Sequence, residues 1–190
     1  MDLVGAIRGA PLADLAIFGS LFAAFVVGVL QGSIRRLLGV ASILLAFLLA
    51  ANLRGAFGQF LADNWRQFSL EYSELLAFLM LFVALAVAFS VVIQGFYKRT
   101  DIYAAHPVVD DVVGGLLGLL EGFVVVTVLI IIFNSHVPPD KAVTVSELDG
   151  IQDALLNHSQ IAAGIRDNIV PPLIHLIGGL LPSDLTSLYP

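Results

Sequence analysis

Glu121 stands apart from every other ionisable residue in this 190-residue chain. Of the 9 basic and 15 acidic side chains, it alone falls inside the four long apolar runs at residues 15–30, 37–51, 75–93 and 112–133. A carboxylate at membrane depth costs about 2.5–3.5 kcal/mol on insertion scales and faces protein or water rather than acyl chains. It needs a partner, and the chemistry open to it is an ion pair or a proton path. Ten residues beyond Asp111, it sits ~15 Å along a helix axis. On a helical wheel Gly114, Gly118 and Gly122 project at about 0°, 40° and 80°, with Glu121 at about −20° on the same side. Small residues four apart let two helix backbones approach closely, so this face predicts a partner helix. Gly28, Gly32 and Arg35 repeat the i, i+4, i+7 spacing of Gly114, Gly118 and Glu121. The turn after the first run thus carries a second glycine groove and two arginines. We expect Arg36, or second to it Arg35, to pair with Glu121, the alternative for both being extension to the headgroups.

Other chemistry is poorly represented. His106, His136, His158 and His175 are dispersed without HExxH spacing and read as surface residues rather than metal ligands. The isolated hydroxyls Ser20, Ser42, Ser90 and Thr127 read as bonded to their own helix backbones. No phosphate loop, GxSxG elbow or dinucleotide fingerprint occurs. The absence of cysteine removes disulfides, thiolate metal sites and thiol nucleophiles together. The net charge of −6, with no basic cluster, argues against a nucleic-acid partner. The expectation is a protein that is not an enzyme and that holds no cofactor and no metal.

The elements that position these residues follow from composition. With 58% apolar and 13% charged side chains and a mean hydropathy of +0.95, the chain is too greasy for a water-soluble domain. Only helices and closed barrels satisfy their backbone in lipid, and the runs lack the alternating polarity of barrel strands. The fold class is therefore all-α integral membrane, with four transmembrane helices plus interfacial amphipathic helices. The first run lacks the positive flank of a cleaved signal peptide and reads as a permanent anchor. The first two runs, of about 16 and 15 residues, reach only ~23 Å, short of the ~30 Å hydrocarbon core, which suggests a connecting turn sunk into the bilayer.

Between the second and third runs, Phe57, Phe60, Leu61, Trp65 and Phe68 recur at helical spacing opposite Gln59, Asp63, Arg66 and Gln67. This predicts an interfacial helix lying flat on the membrane. Beyond Phe133, Pro138-Pro139 break the last span, and Ser146 with Asp149 resembles a capping box before Leu148, Ile151 and Leu155. Gly164 is the expected end of that helix, and Pro171-Pro172 introduce residues 173–181, too few to cross. We therefore divide the chain into a four-helix transmembrane domain, 1–133, and an amphipathic, non-spanning tail, 134–190, either on the membrane or folded back on the bundle. Arg35, Arg36, Lys98 and Arg99 lie in the two short linkers after the first and third runs. Arg8, Arg54, Arg66, Lys141 and Arg166 are spread over the longer opposite segments, which places both termini on the non-cytoplasmic side.

The chain resembles the CvpA family, the colicin V production proteins of bacterial inner membranes. The resemblance covers residues 14–133 and more loosely the tail. It rests on Asp14 opening the first span, on Gly28-Val29-Leu30-Gln31-Gly32 followed by Arg35, on Asp110-Asp111-Val112-Val113-Gly114 with Gly118 and Gly122, and on Ser159 in the tail. Family members often carry arginine at Gln31, Asp111 and Glu121, and glutamate at Arg36. The opposite swaps at 36 and 121 are what a compensated ion pair would leave. The resemblance implies a multi-pass protein of the bacterial plasma membrane, linked to toxin production or export and to envelope maintenance, acting as a scaffold or accessory. Paired glycine grooves with a buried acid also suit a subunit of a small homo-oligomeric channel or transporter. The expected partners are the lipid bilayer and either further copies of the chain or other membrane proteins.

Overall fold

The structure, a computed structural model, describes residues 11–65, 69–96, 107–136 and 158–187. Four long helices carry the chain: α1 Leu12–Gln31, α2 Ser33–Asn64, α3 Leu70–Phe96 and α4 Pro107–His136. Shorter pieces follow: α5 Gln160–Asn168, α6 Val170–Ile177, a 3₁₀ turn Gly178–Leu180, and α7 Ser183–Thr186. No strand occurs among the described residues. All four long helices are long and apolar enough to span a membrane.

The first two helices differ from expectation, because neither stops where its charge-free run stops. α1 has 20 residues and reaches about 30 Å, the thickness of the hydrocarbon core. α2 has 32 residues and reaches about 48 Å. It absorbs Arg35, Arg36 and Arg54, none of which breaks a helix, and it runs on through Phe57, Phe60 and Leu61. The flat interfacial helix expected at 57–68 is therefore the far end of α2 as far as Asn64, with 66–68 outside the described residues. Leu61 is buried while Phe60 is exposed, so this end is still packed on one side. The placing of Arg54 in a linker is corrected too. It lies within α2, buried, with its guanidinium 5.4 Å from the centre of the Phe78 ring.

The bundle is two helix pairs set side by side. α2 packs most extensively on α3, and α1 on α4, with α2 also against α4. Ala46, Ala50 and Ala51 bring α2 close to α3, and Phe47 stacks on Phe78 with ring centres 5.9 Å apart. Lipid tails are as apolar as these side chains, so close packing rather than escape from water holds such helices together. Val128, Ile130, Ile131 and Ile132 of α4 complete the core from the other pair.

The tail folds back on the bundle. Ala162, Ile165, Val170, Ile174, Leu181 and Leu185 join the same apolar cluster as Ile17, Phe47 and Ile131. Asn52 of α2 donates to the Leu180 carbonyl at 3.0 Å, tying the 3₁₀ turn to the bundle. Pro171-Pro172 sit in the first turn of α6, where proline has no bond to lose. Gly164 does not end a helix as expected. It lies inside α5, which runs on to Asn168 because a single glycine lowers helix propensity without breaking the hydrogen-bond ladder. The capping box at Ser146 and Asp149 lies outside the described residues, as do Leu148, Ile151 and Leu155.

Candidate functional site

Three polar arrangements interrupt the apolar bundle, and the first depends on a seam with no side chains in it. At Gly28, Gly114 and Gly118 the backbones of α1 and α4 touch. A Cβ on Gly118 would stand 2.8 Å from the Gly28 Cα and against the Ala24 carbonyl, and one on Gly114 would stand 2.6 Å from the Gly28 carbonyl oxygen. Gly122 continues the seam beside Ala24 and Leu21. Only glycine permits this approach, since backbone atoms have nowhere to retreat.

The seam ends at Gly32, the one residue joining α1 to α2. Its φ of 82° and ψ of 166° lie where a side chain is strained. The carboxylate of Asp110 fills the space a Cβ would need. Asp110 is buried and accepts from the Ser33 backbone N–H at 3.0 Å and from the Ser33 hydroxyl. An anion at the start of α2 answers the free N–H groups and the positive end of that helix. Asp110 on α4 is thus the N-terminal cap of a helix 77 residues earlier in the chain.

One turn further in, Arg36 Nη1 donates to Glu121 Oε2 across α2 and α4. Gly39, one turn beyond Arg36, leaves room for that carboxylate, since a Cβ there would lie 2.7 Å from Oε1. The pair borders a cavity of about 180 Å³ lined by the polar groups of Gln31, Arg35, Arg36, Ser42, Ser90 and Glu121 and closed by Gly39 and Ile93. All four long helices contribute to this lining. Arg36 Nε is buried and has no hydrogen-bond partner among the described residues. Arg35 lines the cavity without touching Glu121, so of the two arginines only Arg36 makes the ion pair.

At the opposite end of α1, Asp14 accepts from the Ser159 hydroxyl and from the backbone N–H groups of Gln160 at 3.2 Å and Ile161 at 3.1 Å. Ser159 Oγ in turn accepts from Ala162 N at 2.9 Å, the usual N-cap bond. An acid on the first span and a serine in the tail together close the N-terminus of α5.

Of the remaining candidates, Ser42 and Ser90 line the cavity and the others sit apart. Ser20, Ser42 and Thr127 donate to the carbonyls of Ile17, Leu38 and Phe123 within their own helices. His158 and His175 are exposed, whereas His106 and the side chain of His136 lie outside what is described. No cluster of metal-ligating side chains occurs among the described residues. Sequence reasoning does not single out Ser33 or Gly39, and it reads Gln31 only as a family position and Ser90 only as a hydroxyl bonded to its own helix, not as cavity lining. A serine directly after Gly32 was a visible signal for a helix start, but nothing in the chain indicated which acid would cap it. Gly39 carried no signal, because it falls seven residues beyond Gly32, off the four-residue repeat.

Comparison with known proteins bears on this arrangement. Neither the curated proteins nor the solved structures include a match. The family model of the colicin V production protein matches residues 13–168, which takes in Asp14, the glycine seam, Asp110, the Arg36–Glu121 pair and Ser159. Membership supports a role in bacteriocin production, and with four spanning helices it makes the chain a multi-pass membrane protein. The chain belongs to the colicin V production protein family.

Proposed function

We propose that the protein is a non-catalytic scaffold of the bacterial plasma membrane, an accessory to bacteriocin production and export and to envelope maintenance, with both termini on the non-cytoplasmic side. One observation carries the reading: Asp14, Asp110 and Glu121 are each engaged in joining one helix to another. An acid held in this way has its position fixed by donors on another helix, which suits architecture better than proton transfer. The lipid-facing sides of α1 and α3 are lined by exposed Phe18, Phe22, Val83, Val87 and Val91, which leaves room for partner helices.

The test joins function and neighbours. A strain lacking its own family member is supplied with this chain carrying Val87→Cys, and crosslinked in native membranes. Adducts to other membrane proteins, together with restored colicin V release, fit a scaffold. The alternative is a subunit of a small homo-oligomeric channel or transporter, and the polar cavity beside Glu121 is what favours it. Self-adducts, together with ion flux through the reconstituted protein that disappears in Glu121→Gln, would establish that alternative and end the scaffold reading. Reversing the ion pair tests the architecture directly. Glu121→Arg should impair accumulation, because two guanidiniums then face each other, and adding Arg36→Glu should restore it. An unrescued double mutant counts against the pair as a structural lock.

A further inference from the structure

The polar cavity holds more positive charge than the pair beside it consumes. Arg35 and Arg36 both line it and Glu121 is the only acid among its lining residues. Glu121 takes one end of the Arg36 guanidinium, leaving the buried Nε–H of Arg36 without a partner and Arg35 without an ion pair among the described residues. A buried N–H with no acceptor is costly, and a guanidinium in a low-dielectric setting calls for a counter-charge. Two guanidiniums on adjacent residues, with the Gln31 amide nearby, present a set of donors suited to a tetrahedral oxyanion.

The position of the cavity selects the source of that anion. α1 is about as long as the hydrocarbon core is thick, so Gln31 and Gly32 mark its edge. With that edge, Arg35 and Arg36 in the first turn of α2 lie within about 5 Å of it, close enough for their side chains to meet a phospholipid phosphate. Leu30, Leu37, Val92 and Leu120, sequence neighbours of the lining residues on all four helices, are exposed and offer apolar surface to acyl chains. Basic pockets between transmembrane helices are a known means of holding anionic headgroups.

We infer that this cavity binds a phosphate group, supplied by an anionic phospholipid whose headgroup enters between the helices and bonds to Arg35 and to the open Nε–H of Arg36. Such a lipid would fasten the ends of α1, α2 and α3 to α4 without being consumed. The site is independent of the scaffold reading, since a lipid-binding protein of either function would carry it.

Native mass spectrometry of the purified full chain with phosphatidylglycerol and with phosphatidylcholine tests the inference, alongside thermal melting with inorganic phosphate. Phosphatidylglycerol should be retained preferentially, and Arg35→Gln should weaken that retention about tenfold, the loss of one charge-assisted contact. Glu121→Gln moves the reading the other way: it removes the competing carboxylate, so retention should hold or rise even if the variant melts earlier. A merely structural role for the arginines predicts a fall in both. Stabilisation by inorganic phosphate, lost in Arg35→Gln, with no lipid preference would keep the site and reassign its ligand to a soluble anion. Equal retention of both lipids with no response to phosphate, or a preference untouched by Arg35→Gln, would overturn it.

Discussion

The two helix pairs of this bundle are held by opposite means. Between α1 and α4 the closest contact is backbone: Gly28, Gly114 and Gly118 leave no side chain between them, so that carbonyls and Cα atoms meet. Between α2 and α3 it is mainly side chain, Phe47 on Phe78 with alanines around them, and glycine serves a close approach at Gly58, where a Cβ would stand 2.9 Å from the Glu74 Cα. Both seams lie in the same apolar chain, yet the first is damaged most by an added atom and the second by a removed ring. The difference also decides where polar chemistry can sit. The close α1–α4 approach brings Asp110 to the start of α2 and Glu121 to Arg36, whereas the α2–α3 seam holds Arg54 over the Phe78 ring and Glu74 against Gly58.

The sharpest break comes from adding bulk to the first seam. Gly118→Leu drives its Cβ into the α1 backbone at Ala24 and Gly28, so overpacking exceeds the usual ~1–3 kcal/mol and the folded protein should be lost. Size-exclusion of a fluorescent fusion reads this directly, and a normal monodisperse peak would contradict the backbone contact. Removing bulk from the second seam is next. Phe78→Ala, at a fully buried ring, should cost about 3 kcal/mol in denaturant titration yet leave a folded protein, with Phe78→Leu recovering most of the loss. Similar damage from a Phe78→Trp change would show that this seam, too, lacks room.

Smaller effects sharpen the contrast. Asp110→Asn keeps the shape of the cap but removes its charge from the start of α2, which should cost about 1–2 kcal/mol by the same titration. No change at all would mean that the charge contributes nothing to the cap. The smallest effect belongs to Gly19, on α1 but away from the seam, where a Cβ would meet nothing within 4 Å. Gly19→Ala should stabilise by about 0.5–1 kcal/mol through helix propensity alone. Destabilisation there would reveal a contact that this face makes in the membrane.

Much of this architecture could be read in the chain itself, and the failures share a cause. The glycine repeat and the lone Glu121 pointed to one face of α4, and the arginine pair to the turn that approaches it. Helix limits differ from expectation at Arg54, at Phe57 and at Gly164, because a charge or a single glycine weakens a helix without breaking its hydrogen-bond ladder. Arg54 is covered by Phe78, and the far end of α2 is packed through Leu61. The cap at Ser33 was hidden because its acid comes from a helix 77 residues away.

What the sequence determined by itself is the solvent and the periodicity. Four runs this apolar require hydrocarbon around them, and backbone hydrogen bonding in hydrocarbon requires helices. It also determined which residues have no side chain to keep neighbours apart. Only the tertiary structure decided which helix uses each groove, which of two adjacent arginines reaches Glu121, and that the tail returns to the bundle through Asp14 and Ser159. Those outcomes depend on contacts between residues 77 to 145 positions apart. Local pattern carries no record of such distances, because the geometry that joins them exists only once the helices have packed.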